Sequence, residues 1–213
     1  MSAFDELFAF QRQTEALSSV SERLGWDQET VMPRGATEQR AEEMAAMESV
    51  LHERRTDPRI GEWLDQAVPE DAEDARILEL IARDHQRATR IPARLATELA
   101  RQTSLAQGIW AEARAKDAPA DFLPVLNDIL MLKREEAAAL ADGGDLYDAL
   151  LEDYEPGATQ AQIAALFDAM RPRLVALRDD VLGADFQPAP LSGDFPQETQ
   201  LRLARTCATA FGY

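Results

Sequence analysis

Trp26-Asp27-Gln28-Glu29-Thr30-Val31-Met32-Pro33 is the stretch on which the reading of this chain turns. It follows a helix-patterned first segment, is preceded by Gly25, and closes on Pro33-Arg34-Gly35. Glycine often ends a helix because it accepts positive φ, and proline cannot continue one. The stretch is therefore expected to be a corner between two helices, holding a Trp, four polar residues and a Met. Helix-helix connections are usually short, and Trp is a residue that normally buries most of its surface. Two roles stay open. Trp26 packs and anchors the corner while its polar neighbours cap helix ends, or the corner, with Trp26 and Asp27, forms part of the wall of a site.

On either side of this stretch the apolar residues recur at helical spacing. Ser2 is placed to cap a first helix, with Asp5 and Glu6 in its first turn and Phe4, Leu7, Phe8, Leu17, Val20 and Leu24 on its apolar face. A second helix from near Thr37 turns Ala41, Met44, Ala45, Val50 and Leu51 inward. Asp57-Pro58 pairs an N-cap with a proline at the first helical position and starts a short helix through Ile60, Trp63, Leu64 and Ala67. After Pro69, a helix ending near Arg90 gathers Ile77, Leu78, Ile81 and His85. Pro92 begins or kinks the next, which runs through Leu95, Leu99, Ala106 and Ile109 towards Lys116. Asp117 to Asp121 breaks the pattern, and residues 122–141 resume it through Val125, Leu126, Ile129, Leu130 and Lys133.

Gly143-Gly144 is the clearest joint. It divides an N-terminal helical region, 1–142, from a second helical segment, 143–213, expected to pack with the first as one unit. Tyr147 to Leu151 reads as one or two helical turns, and Glu155-Pro156-Gly157 as a turn. Thr159 opens a helix through Ile163, Leu166, Phe167, Met170, Leu174 and Leu177, with a kink expected at Pro172. Residues 183–194 form the longest loop, and a last helix from about Pro196 carries Leu201, Ala204, Cys207 and Phe211. No strand-like alternation competes with these patterns. The fold class is all-α, an irregular array of about eight helices.

With 22 Lys and Arg against 39 Asp and Glu in 213 residues, the net charge is −17. That balance argues against nucleic acid, whose phosphates need clustered cations, and against an anionic membrane surface. The single cysteine, Cys207, excludes an internal disulfide and reads as a small buried side chain. Met1 to Glu6 lacks the basic start and apolar run of a secretory leader, and no apolar run reaches membrane-spanning length. A cytoplasmic address is expected.

A zinc peptidase site would show His-Glu-x-x-His on one helix face. The two histidines are His52 and His85; His52-Glu53-Arg54-Arg55-Thr56 begins that motif and fails at Thr56. A di-iron site needs Glu-x-x-His pairs, and the positions three before the histidines are Ser49 and Ala82. Eight acids and no Lys or Arg fall between Glu135 and Phe167, a composition that usually marks a solvated face. Tyr147 and Tyr154 interrupt that run and are candidates for binding a cation or lining a peptide cleft. On local chemistry the chain is a helical scaffold without a reaction centre, with no metal or cofactor expected in it.

Trp-Asp-Gln-Glu-Thr-x-Met-Pro at 26–33, Arg40-Ala41, Leu132-Lys133-Arg134-Glu135 and Tyr147 to Gly157 together resemble, in order, blocks of the carboxypeptidase Taq family of metallocarboxypeptidases. The resemblance runs nearly end to end. It implies a mostly helical, often homodimeric enzyme, hence a homo-oligomer, that hydrolyses C-terminal residues from a peptide substrate with a divalent metal, zinc or cobalt. It also implies that the metal-binding His-Glu-x-x-His lies in the later half of such enzymes. The present chain is then the N-terminal helical region, covering one side of the substrate groove, with Trp26, Asp27, Tyr147 and Tyr154 as groove candidates. No catalytic or metal residue of the family can be carried onto this sequence, so the chain alone is expected to be inactive and its parent to be the enzyme. The competing expectation is a free-standing helical interaction or scaffold module. If a larger fold is implied, the Leu201, Ala204, Cys207, Phe211 stripe is expected to be left uncovered and to drive self-association or fraying.

Overall fold

The computed structural model describes residues 2–186 and 188–213. Its secondary structure is helical, with nine α-helices and no strand among the described residues. They are α1 (Ala3–Thr30), α2 (Thr37–Arg55), α3 (Pro58–Gln66), α4 (Ala72–Arg90), α5 (Ala93–Ala115), α6 (Leu123–Ala141), α7 (Leu146–Leu151), α8 (Gln160–Leu182) and α9 (Gln197–Ala210). Packing divides the chain into two compact units, Met1–Gln160 and Ala161–Tyr213. The double-glycine joint lies inside the first, where Asp142 (φ 49°) and Gly143 (φ 87°) take left-handed backbone to end α6.

The helix starts follow their sequence signals. Ser2 and Asp5 form a reciprocal capping box, and this pairing lowers the Asp5 carboxyl below its ordinary value. Asp57 caps α3 ahead of Pro58, Asp71 caps α4, and Asp145 caps α7. The first helix, however, does not stop at Gly25. It runs on through Trp26 to Thr30, so the expected corner is the last turn and a half of α1. An interior glycine costs a helix about 1 kcal/mol, whereas proline also disfavours helical backbone in the residue before it. The true stop is Met32-Pro33, with the amides of Val31 and Met32 both closing on the Asp27 carbonyl.

The first unit is built on a row of helices. Arg54 and Arg55 at the end of α2 meet Thr14 and Ser18, while Arg40 near its start meets Leu24 and Asp27, so α1 and α2 run antiparallel. Thr37 lies against Gly108 and Glu42 pairs with Arg101, setting α5 antiparallel to α2. Small residues are buried on both helices, Ala41 and Ala45 on α2 and Ser104, Ala106 and Ala113 on α5. The turn through Pro119–Asp121 sends α6 back along α5, joined by Arg94 and Glu135. Across one side, α3 packs on α1 and α4 on α2, α3 and α6. Leu7, Leu51, Ile60, Leu95, Val125 and Leu140 form the apolar centre. Several residues expected there face solvent instead, among them Phe8, Val20, Val50, Ile109 and Leu130.

The second unit holds α8, the loop after it, and α9. Pro172 lies within α8 and does not end it. The expected loop over 183–194 is observed, except that Gln187 lies outside the described residues, as does Met1 at the start. α8 and α9 share no substantial packing contact. Cys207, expected to be buried, is therefore exposed, together with Leu201 and Phe211 of its stripe. No helix among the described residues is long and apolar enough to cross a membrane.

Candidate functional site

The end of α1 presents two faces. Inward, Arg40 donates to Asp27 Oδ2 at 2.6 Å, to Glu43 Oε2 at 2.8 Å and to the Leu24 carbonyl. Asp27 first, and then Glu43, hold the buried guanidinium above its ordinary value despite the cost of burying it. Gln28 makes a two-way bridge to α5: its Nε2 donates to the Ser104 carbonyl at 2.8 Å, and Ser104 Oγ donates to its Oε1 at 3.0 Å. Outward, Trp26 is 64% exposed. The packed-anchor role expected for the Trp thus falls to Asp27 and Gln28, whose partners lie 13 and 76 residues away.

Tyr147 and Tyr154 sit on a different part of the unit, carried by α7 and the turn behind it. Arg87, in the last turn of α4, donates to the Ala149 carbonyl at 3.1 Å and to Asp153 Oδ1 at 2.5 Å. Glu152 Oε2 accepts from the Gly157 amide at 2.8 Å, and Asp148 Oδ1 from the Gln160 amide at 2.6 Å. Part of the acidic run is therefore structural, its carboxylates tying the turn and the start of α8. Both tyrosines are exposed, at 62% and 82%. The two groups of candidates are separated along α5. Gln28 meets Ser104, whereas α7 packs on α6, whose Glu135 meets Arg94, ten residues or about 15 Å along the helix axis from Ser104.

Sequence reasoning missed a cavity of about 340 Å³ between α2, α4, α5 and α6, where Glu48, His52, Arg55, Lys133 and Glu136 interrupt a mostly apolar wall. Burial raises the Glu48 carboxyl, opposed by Arg55 3.5 Å away. Burial and then Arg55 lower the His52 imidazole. Lys133, from the Leu132 to Glu135 block, pairs with Glu136, whose Oε2 is screened from solvent. His85 Nδ1 lies 2.8 Å from the Arg55 carbonyl, which makes Nδ1 the donating nitrogen. Glu48, His52, Arg55, Lys133 and Glu136 come from two helices, α2 and α6, so only the helix order brings them to one cavity, and no short motif reports them.

A metal needs three or more convergent donors, and no such group of His, Cys, Asp or Glu occurs among the described residues. His52 is committed to the cavity wall and His85 to a backbone carbonyl. Among the described residues, the donor set does not fit a catalytic metal.

The profile of the carboxypeptidase Taq (M32) metallopeptidases matches residues 6–213. The chain belongs to this family. Thermostable carboxypeptidase 1 of Thermus thermophilus is 39% identical, aligned over 99% of this chain and 45% of its own length. Thermostable carboxypeptidase 1 of Pyrococcus furiosus is 28% identical over 83% of this chain and 36% of its own. Among solved structures, the M32 carboxypeptidase of Deinococcus radiodurans superposes with a TM-score of 0.74 at 29% identity, over 99% of this chain and 43% of that one. The P. furiosus carboxypeptidase structure gives a TM-score of 0.79 at 26% identity, over 100% and 44%. The chain spans less than half the length of these M32 relatives.

Proposed function

We propose that this chain is the N-terminal helical region of a metal-dependent carboxypeptidase, and that it supplies one wall of the groove in which a peptide's C-terminal end is held for hydrolysis. The observation that carries this reading is the family match over 6–213 in a chain spanning less than half of its relatives, with no donor set that fits a metal among the described residues. The metal-binding residues and the general base then belong to the rest of the family fold, and this chain alone does not hydrolyse peptides. Its own contribution is positional. Asp27, Gln28 and Arg40 fix the end of α1, and Arg87 fixes α7, so that Trp26, Tyr147 and Tyr154 are held outward as surfaces for substrate. Rigid placement of such walls limits substrate freedom and excludes water from a reacting bond. The parent enzyme is read as a homo-oligomer at a cytoplasmic address, as the resemblance and the composition suggest.

The test is release of the C-terminal amino acid from a blocked dipeptide. The desalted chain should release none and carry no stoichiometric zinc or cobalt. Turnover by the purified chain, or one equivalent of tightly bound metal, would overturn the assignment.

A further inference from the structure

α8 carries a heptad pattern of apolar residues along its length. Ile163, Met170 and Leu177 recur every seven residues; Phe167, Leu174 and Val181 do the same, offset by four. This is the a/d spacing of a helix that packs lengthwise on another helix. The seam nevertheless faces solvent, with Phe167 54%, Met170 41%, Leu174 56% and Leu177 58% exposed. No substantial packing against α9 covers it.

The charges beside the seam indicate what does. The flanking positions hold Arg171, Arg173 and Arg178 against the single acid Asp180, within a chain whose net charge is −17. Arg171 and Arg178 contact Asp168 and Asp179 of the same helix at 3.6 and 2.7 Å. Pairs this exposed hold little energy and leave the cations available to a partner. A second copy of α8 would set arginine against arginine along the same flank, which opposes self-pairing.

We propose that the α8 seam is the docking surface for an amphipathic helix whose own apolar stripe is flanked by Asp and Glu, supplied by the part of the family fold that this chain does not span. The source of that helix rests on the carboxypeptidase reading; the chemistry of the surface does not. α8 is thereby an internal helix of the complete fold, and its docking joins the groove wall to the remainder of the enzyme.

Two designed heptad peptides, identical in their apolar positions and carrying Glu or Lys on both flanks, are titrated into the full chain by calorimetry. The Glu peptide should bind about tenfold tighter, the sum of three flank pairs of ordinary strength. Non-specific attraction to so acidic a chain would favour the Lys peptide instead. Leu174→Glu should abolish binding while far-ultraviolet circular dichroism stays unchanged, and Arg171→Glu with Arg178→Glu should reverse the preference. Equal or inverted preference, no binding of either peptide, or indifference to Leu174→Glu overturns the surface. For the source, Leu174→Cys in a Cys207→Ser background should react rapidly with a maleimide. A cysteine at the aligned position of the intact T. thermophilus enzyme should be protected, and a reactive thiol there would refute the intramolecular partner. Neither readout depends on catalysis, so loss of the carboxypeptidase reading leaves the binding result standing.

Discussion

Two neighbouring residues at the end of α1 should behave oppositely when cut back to alanine. Asp27 accepts from Arg40 at 2.6 Å, and the Arg40 side chain is only 9% exposed while that of Asp27 is 39% exposed. A hydrogen bond to a charged group contributes about 1.5–3 kcal/mol. Solvent at the Asp27 end screens part of that. Glu43 still neutralises Arg40 at 2.8 Å, so the loss stays below the roughly 3–5 kcal/mol of stranding a buried charge. Asp27→Ala should therefore cost about 1–2 kcal/mol. Trp26→Ala removes a side chain that is 64% exposed and installs the best helix former, so stability should change by no more than about 0.5 kcal/mol. Urea denaturation followed by circular dichroism measures both, and a cycle with Arg40→Ala isolates the pair. If Trp26→Ala proves more costly than Asp27→Ala, the last turn of α1 is held by the Trp and the outward-facing assignment is wrong.

Gly108→Ala should destabilise despite alanine's higher helix propensity, because the added Cβ would lie 2.7 Å from Thr37 Cγ2 and 2.9 Å from its Oγ1. A loss of about 1–2 kcal/mol on thermal or urea unfolding, largely restored by adding Thr37→Ala, would mark this as an overpacked contact. The cavity predicts a pH dependence. Because burial lowers His52 from 6.5, the unfolded chain binds more protons just below that value, so stability should fall as pH drops through 6.5 and His52→Gln should flatten the decline. Glu48, raised above 4.5, has the opposite sign: the folded state takes up its proton first and gains on acidification, so Glu48→Gln should steepen the acid loss seen by urea titration. A profile unchanged in both variants would refute the burial of the pair.

Much of this protein is decided locally. Helix periodicity, the Ser2, Asp57 and Asp145 caps, the Pro92 and Pro119 breaks and the left-handed exit at Asp142-Gly143 each depend on residues within one turn of themselves. Such signals are complete in the sequence, and so the all-α class and nearly every helix boundary could be read from it. The ordered Trp26 to Pro33, Leu132 to Glu135 and Tyr147 to Gly157 blocks also carried the family. The first helix boundary failed because two local signals competed, and the cost of an interior Gly25 is smaller than that of continuing past Met32-Pro33.

What the sequence could not decide was which side of a helix is the inside. Gln28 and Ser104 are 76 residues apart, and Glu48, His52, Lys133 and Glu136 line one cavity only because α2 and α6 both pack on α5. The same limit applied to Trp26 and Cys207: an apolar or small side chain signals what would be favourable to bury, and burial requires a neighbour on that face. Asp27 and Gln28 turn inward because α2 and α5 stand there with a guanidinium and a serine to meet them, whereas Trp26, one residue earlier on the helix, is left mostly to solvent.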